Sequence, residues 1–387
     1  MSSTRILTAL LLLLAIFAPA SKAQLGKSVM IPAGSDADHE LNAISSADPS
    51  QKLALIDAFA KAHPESDFQI VADEQYVNYY INAKHYDKAF EYGDKLSVLD
   101  PNNYSNAVNM VRAAAEKGDL AKLFTYGEKA NSIIQNYKAS PAPEGTDAND
   151  WSRIKTDKLV SLRDNQDYVE EALLSGAYNA KDPGRRAEYF VRFAKMYPDT
   201  PEAEQALTVA ASSYSQAQNR AKMHEVANSV LAKNPENIDL LLLLADDYSQ
   251  VGEQLDKAET YAKKAISVAD AAKKPDNISD EEWQKKISVQ KGWALSSLGQ
   301  VDLQKKLNAQ AVDSLSKAAP LLKSNAGLYG RNQYRLGFAY LNMKKNPEAT
   351  KAFTEAASVE SPYKVMAEDK LSELGTSAKP TAHKKAS

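Results

Sequence analysis

Five histidines, His39, His63, His85, His224 and His383, are where metal binding or acid–base chemistry would first be sought. A helical metal site needs ligands three or four residues apart, so that both side chains share a face. No histidine here has another at that spacing. His63 and His85 fall near expected turns, and His224 falls on the solvated flank of an expected helix. The adjacent carboxylates of "DDYSQ", Asp246 and Asp247, point about 100° apart on a helix and do not converge on one ion. "DEEW" at 280–283 reads as an acidic first helical turn capped by Ser279. The sequence contains no G-x-S-x-G elbow, no glycine-rich phosphate loop, no calcium loop and no cysteine. The expectation is therefore a non-enzymatic protein with no catalytic, cofactor-binding or metal-binding residues and no cofactor.

The opening "MSSTRILTALLLLLAIFAPASKAQ" carries one positive charge at Arg5, an apolar run from Ile6 to Ala18 and a small-residue stretch. That order predicts a secretory signal peptide over 1–23, removed after Ala23, with a mature chain outside the cytoplasm. A periplasm is the expected compartment, and secretion to the medium the alternative. A net charge of −3 gives no general attraction to phosphates, so no nucleic-acid partner is expected. Without cysteine, the chain must be stable with no disulfides. The run Leu240–Leu244 ends at Ala245, Asp246 and Asp247, too short to cross a bilayer, so no transmembrane segment is expected in the mature chain.

Residues 24–50 mix glycine, proline, serine and charge, and read as a flexible leader. From Gln51 onward the composition favours helices, with apolar residues three and four apart in segments of about 12 to 16 residues. Turn signals separate them: "LDPNN" at 99–103, "YPDT" at 197–200 and "NPEN" at 234–237. Proline fits the first turn of a helix, and a preceding Asp or Asn can cap it. "KNPEATKAF" at 345–353 shows the same device, with Asn346 as cap and Pro347 first in the helix. Small residues alternate with aromatic ones through successive helix pairs, a pattern that recurs about every 34 residues.

This alternation resembles the tetratricopeptide repeat family. The clearest unit is 330–362, with Leu336, Gly337 and Tyr340 in its first helix and Ala349, Phe353 and Ala356 in its second. Units at 204–236 (Ala211, Tyr214, Ala227, Pro235) and from 238 (Leu241, Leu244, Ala245, Tyr248, Gly252, Ala258, Ala262, Ala265) match well. Weaker ones lie at 70–102, 104–139 and 167–199. The unit at 280–322 fits with Gly292 marking its first helix, "GQVDLQKKL" as an extended connection or extra turns, and a second helix at "NAQAVDSLSKAAPLL". The resemblance implies an all-α solenoid of antiparallel helix pairs. Repeats are expected over 51–139 and, with a capping helix, over 152–375. A loop or hinge falls at 140–151, a helix over 153–180, and a disordered basic tail at 376–387.

In this family the first helices line a concave groove that binds a peptide or helix of a partner protein. Carried over by position, the groove residues are Asn78, Asn82, Arg112, Asn179, Gln216, Leu242, Asp246, Trp293, Tyr334 and Phe338, with Ile81, Val108 and Asn342 beside them. Glu74 stands where family members that clamp a terminal carboxylate carry positive charge, which argues against that clamp here. Within the Leu240–Leu244 run, Leu241 and Leu244 are expected to face neighbouring helices and Leu242 the groove. The resemblance thus implies an exported protein–protein interaction scaffold, in cell-envelope assembly or a secreted complex. Carbohydrate or envelope-polymer binding through the groove aromatics is the alternative.

Overall fold

The computed structural model describes residues 24–375, and every regular element in them is an α-helix. The expected signal peptide and basic tail lie outside the described residues. Two compact units meet at the Lys181–Asp182 boundary. The first contains α1 (Asp36–Ser46), α2 (Pro49–Ala62), α3 (Ser66–Asn82), α4 (Tyr86–Leu99), α5 (Tyr104–Lys117), α6 (Leu120–Ala139), α7 (Ala148–Ser161) and α8 (Arg163–Asn179). The second contains α9 (Pro183–Met196), α10 (Pro201–Gln216), α11 (Arg220–Lys233), α12 (Ile238–Val251), α13 (Leu255–Ala271), α14 (Asp280–Gln304), α15 (Asn308–Leu322), α16 (Ala326–Asn342), α17 (Asn346–Ala357) and α18 (Lys364–Glu373).

In each unit, consecutive helices pack as antiparallel pairs, and the first helices of successive pairs also touch. Those contacts join α3 to α5 and α5 to α8 in the first unit, and α10, α12, α14 and α16 in series in the second. Each unit is thus an all-α solenoid stack of tetratricopeptide-like helix pairs.

Within a pair, the turn is a recurring backbone device. Lys84, Gln218, Lys306 and Lys344 sit at φ 57–62°, in the left-handed region. At α16–α17, the Lys344 N–H bonds Leu341 O at 2.8 Å and the Lys345 N–H bonds Tyr340 O at 2.9 Å. Equivalent bonds follow Gln218 and Lys306. These are the crossed bonds that satisfy the last carbonyls of a helix. Only the α5–α6 and α12–α13 turns use glycine, Gly118 and Gly252, at the left-handed position.

Between pairs, the prolines act differently from the expectation. Asn234 N–H bonds Val230 O, Asn237 N–H bonds Asn234 O, and the Asn237 side chain accepts from Leu240 N–H. Asp100 and Asn103 repeat this arrangement before α5. Pro101 and Pro235 therefore shape the turn, where a fixed φ is favourable, and the capping falls on Asn103 and Asn237. Ser279 caps α14 above an acidic first turn, as expected from "DEEW", and Glu282 bonds back to the Ser279 backbone to complete a reciprocal capping box.

Three segments depart from the sequence reading. The expected leader contains α1, whose Ala37, Leu41 and Ile44 form one apolar stripe packed with Ile56 and Phe59. The expected loop at 140–151 ends early, because Asp147 caps α7 and Trp151 is buried against Tyr137, its indole N–H donating to Ser140 O at 3.1 Å. The single helix expected over 153–180 is two, broken at Leu162, and the two compact units divide after α8.

Small residues set the close approaches. A Cβ on Gly337 would stand 2.5 Å from the Phe353 ring, and one on Gly299 would stand 2.4 Å from Leu315. Gly299 is therefore the counterpart of Gly337. Gly292, which the repeat pattern selected, lies two turns earlier against Leu322. "GQVDLQ" continues α14 as extra helical turns.

Candidate functional site

The second unit holds an open cleft of about 360 Å³ across the ends of α12, α14 and α16. Gln250 comes from α12, and Gln300, Leu303 and Gln304 come from α14. Tyr334, Arg335, Phe338 and Asn342 come from α16, with Tyr363 from the turn before α18. The helical spacing of Tyr334, Phe338 and Asn342 puts them on one face. Gln300 and Gln304 hold the matching positions relative to Gly299.

Tyr334 and Phe338 are half-buried. Their rings sit 5.7 and 5.6 Å from Phe353, and Tyr334 also lies 5.5 Å from Tyr363. They are both part of the α16–α18 core and part of the cleft wall.

Beneath the cleft lies a buried ion cluster. Asp246 accepts from Arg331 at 2.7 Å and Gln250 at 2.7 Å, with Arg335 and Ser297 each at 3.4 Å. Arg335 also donates to Ser296 O at 3.2 Å. Burial pushes the Asp246 carboxyl upward, but the two guanidinium groups outweigh it and hold the pKa below the usual range. Burial and repulsion from Arg331 push Arg335 down to about 10, against the attraction of Asp246. Two guanidinium groups face one carboxylate, and Arg331 Nε and Nη2 are buried without a hydrogen-bond partner. The floor of the cleft carries surplus positive charge.

Several expected groove residues lie elsewhere. Leu242 is fully buried, packed among Leu241, Ala245 and Ala262, because α12 is enclosed by α13 and α14. Asp246 is only 7% exposed and supports the cleft from below. Trp293 packs against the same α12–α13 core with its indole nitrogen buried, because the packing glycine of α14 is Gly299. Gln300 and Gln304 therefore form the α14 wall of the cleft, for which the repeat pattern selects Trp293. Gln216 is exposed on the last turn of α10.

In the first unit, exposed Asn78 and Asn82 line a cavity of about 270 Å³ with Lys52, Gln75 and Tyr79. Asn109 donates to Asn78 at 3.3 Å. Arg112 is exposed with its guanidinium 5.7 Å from the Tyr168 ring centre. Asn179 lines a separate cavity of about 470 Å³ with Tyr168, Glu171 and Ser175. Ile81 and Val108 are buried.

His224 is half-buried, 2.7 Å from Asp247, which also pairs with Arg220 at 2.8 Å. It is a link between α11 and α12, not a solvated flank. Among the described residues, no three His, Cys, Asp or Glu side chains are grouped to hold a metal ion. No described helix is long and apolar enough to cross a membrane.

The sequence matches no protein-family model and no curated protein. Similar solved structures include the apo form of RapI, at 13% identity over 70% of each chain, with a TM-score of 0.32. The TPR domain of P58(IPK) is 11% identical over 88% of this chain and 98% of its own, with a TM-score of 0.30. Yeast Tom70 is 10% identical over 87% of this chain and 94% of its own, with a TM-score of 0.33.

Proposed function

We propose that this chain is an exported, non-enzymatic interaction scaffold whose second-unit cleft receives a peptide or helical segment of a partner protein. The carrying observation is the combination of side-chain amides, half-exposed rings and surplus buried positive charge in one cleft. Gln250, Gln300, Gln304 and Asn342 offer donors and acceptors suited to a partner's backbone and polar side chains. Tyr334, Phe338 and Tyr363 offer aromatic surface of the kind that anchors protein contacts. Arg335 favours a partner segment that brings an acidic group.

A photo-cross-linking residue in place of Gln300 tests this reading in the producing cell. It should trap one protein at a defined segment, and trapping should fall at least tenfold with Asn342→Ala. Equal trapping from an exposed position on α13, such as Lys257, would refute it. The same rings and amides also suit sugar faces, which supports the carbohydrate reading as the alternative. Saturable glycan binding lost with Asn342→Ala, with no protein trapped, would favour that reading. Export rests on the 1–23 segment. A purified mature chain beginning at Gln24 and released with the periplasmic fraction is the expected result; an intact Met1 chain in the cytoplasm would overturn it.

A further inference from the structure

We infer that the first unit carries a binding site for a sugar acid, in the cavity of about 270 Å³ between α2 and α3. Pro49, Lys52 and Ile56 share one face of α2, three and four residues apart, and Gln75, Tyr79 and Asn82 share one face of α3. At the other end of this antiparallel pair the helices are packed and tied. Phe59, Ala72 and Tyr76 fill the space there, and the Gln69 amide donates to Ala60 O and His63 O at 2.8 Å each. Towards the start of α2 the facing positions carry polar side chains in place of apolar fillers, which leaves the cavity. Ile44 of α1 completes its wall.

The polar groups of this cavity are left for a ligand. Among the described residues, no hydrogen bond or ion pair engages the Lys52 ammonium, the Gln75 and Asn82 amides or the Tyr79 hydroxyl. Asn109 donates to the Asn78 carbonyl oxygen at 3.3 Å, so the Asn78 amide N–H groups remain to donate. Lys52 is half-buried, and among the described lining residues it alone carries charge. One ammonium balances one negative charge, which suits a carboxylate better than a doubly charged phosphate. The amides and the phenol both donate and accept, as sugar hydroxyls do. The buried Ile44 and Ile56 side chains offer an apolar wall to a C–H face. The cavity is below the usual size of sites for drug-sized ligands, which limits the occupant to about one sugar ring. A hexuronic acid combines the single carboxylate, the hydroxyls and the C–H face.

Calorimetric titration of the full chain with glucuronate should show saturable binding, at least tenfold tighter than that of glucose or acetate. Lys52→Met keeps the length of the side chain and removes its charge, and should weaken glucuronate binding at least tenfold. Lys61→Met, at an exposed position of α2 outside the cavity, should leave binding unchanged. Equal losses in the two variants would show general charge attraction and overturn the inference. Glucose or acetate bound as tightly as glucuronate would overturn the sugar-acid assignment. A linear glucuronate trimer then separates two sources of the same chemistry: tighter binding than the monomer assigns a polymer, and equal or weaker binding a free sugar acid. Methyl NMR on the wild-type chain gives an answer even if Lys52→Met misfolds. The Ile44 and Ile56 signals should shift saturably with glucuronate; signals that glucuronate does not move would refute the proposal.

Discussion

Arg331 on α16 donates to Asp246 on α12 at 2.7 Å, joining two first helices with α14 packed against both. The carboxylate is the one acceptor that the two arginines share, so its loss leaves buried positive charge uncompensated. Asp246→Ala should cost about 3–5 kcal/mol in denaturant unfolding of the second unit. Adding Arg331→Met should recover part of that loss, since neither charge then stands alone.

The pH response of Asp246 follows from its lowered pKa. Its stabilising contribution is complete above the unfolded carboxylate range and is lost as pH falls from about 4 through the lower folded value. Denaturant midpoints measured from pH 7 down to pH 2 should fall more steeply for the wild type than for Asp246→Asn.

Asp73 in the first unit should behave with the opposite sign. Burial raises its carboxyl to about 6, against a lowering influence of Lys95. Ionising it opposes folding, so stability falls as pH rises from about 4 to 6 and then levels. Asp73→Asn should stabilise the first unit by about 1–3 kcal/mol at pH 7. Calorimetry should show that gain shrinking toward pH 4.

Leu242 and Gln250 separate core from cleft on a single helix. Leu242→Ala should cost about 2–5 kcal/mol, because the side chain is fully enclosed. Gln250→Ala removes a 2.7 Å bond to Asp246 but opens no cavity, and should cost about 1–2 kcal/mol. Equal costs in urea unfolding would contradict this placement of the two residues.

Gly337→Ala should cost about 1–3 kcal/mol, since its methyl group meets the Phe353 ring. Combining it with Phe353→Leu should be less damaging than the sum of the two changes. The reverse substitution at a turn, Lys344→Gly, should raise the melting temperature slightly, because φ 59° strains a residue with a Cβ.

The helix pairs were legible because each has an apolar stripe of helical period and small residues at its crossings. Leu336, Gly337, Phe353 and Ala356 state the α16–α17 contact almost by themselves, and Tyr334, Phe338 and Asn342 then follow on the cleft face. The α1 helix was obscured by the glycine and proline before it, although Ala37, Leu41 and Ile44 carried the stripe. The turns within the pairs gave less warning, since four of them place lysine or glutamine where glycine is the usual signal.

The amino-acid sequence alone determined the periodic element, the absence of cysteine chemistry and the succession of helix pairs, because these depend on neighbours three and four residues away. Tertiary structure decided which glycine of α14 is the packing contact, and so moved the wall positions from Trp293 to Gln300 and Gln304. Both Gly292 and Gly299 satisfy the local pattern; only the leucine that each meets on α15 distinguishes them. Tertiary structure likewise turned Asp246 from a surface aspartate into the support of the cleft. Its partners stand 85 and 89 residues along the chain, and no local spacing can announce them.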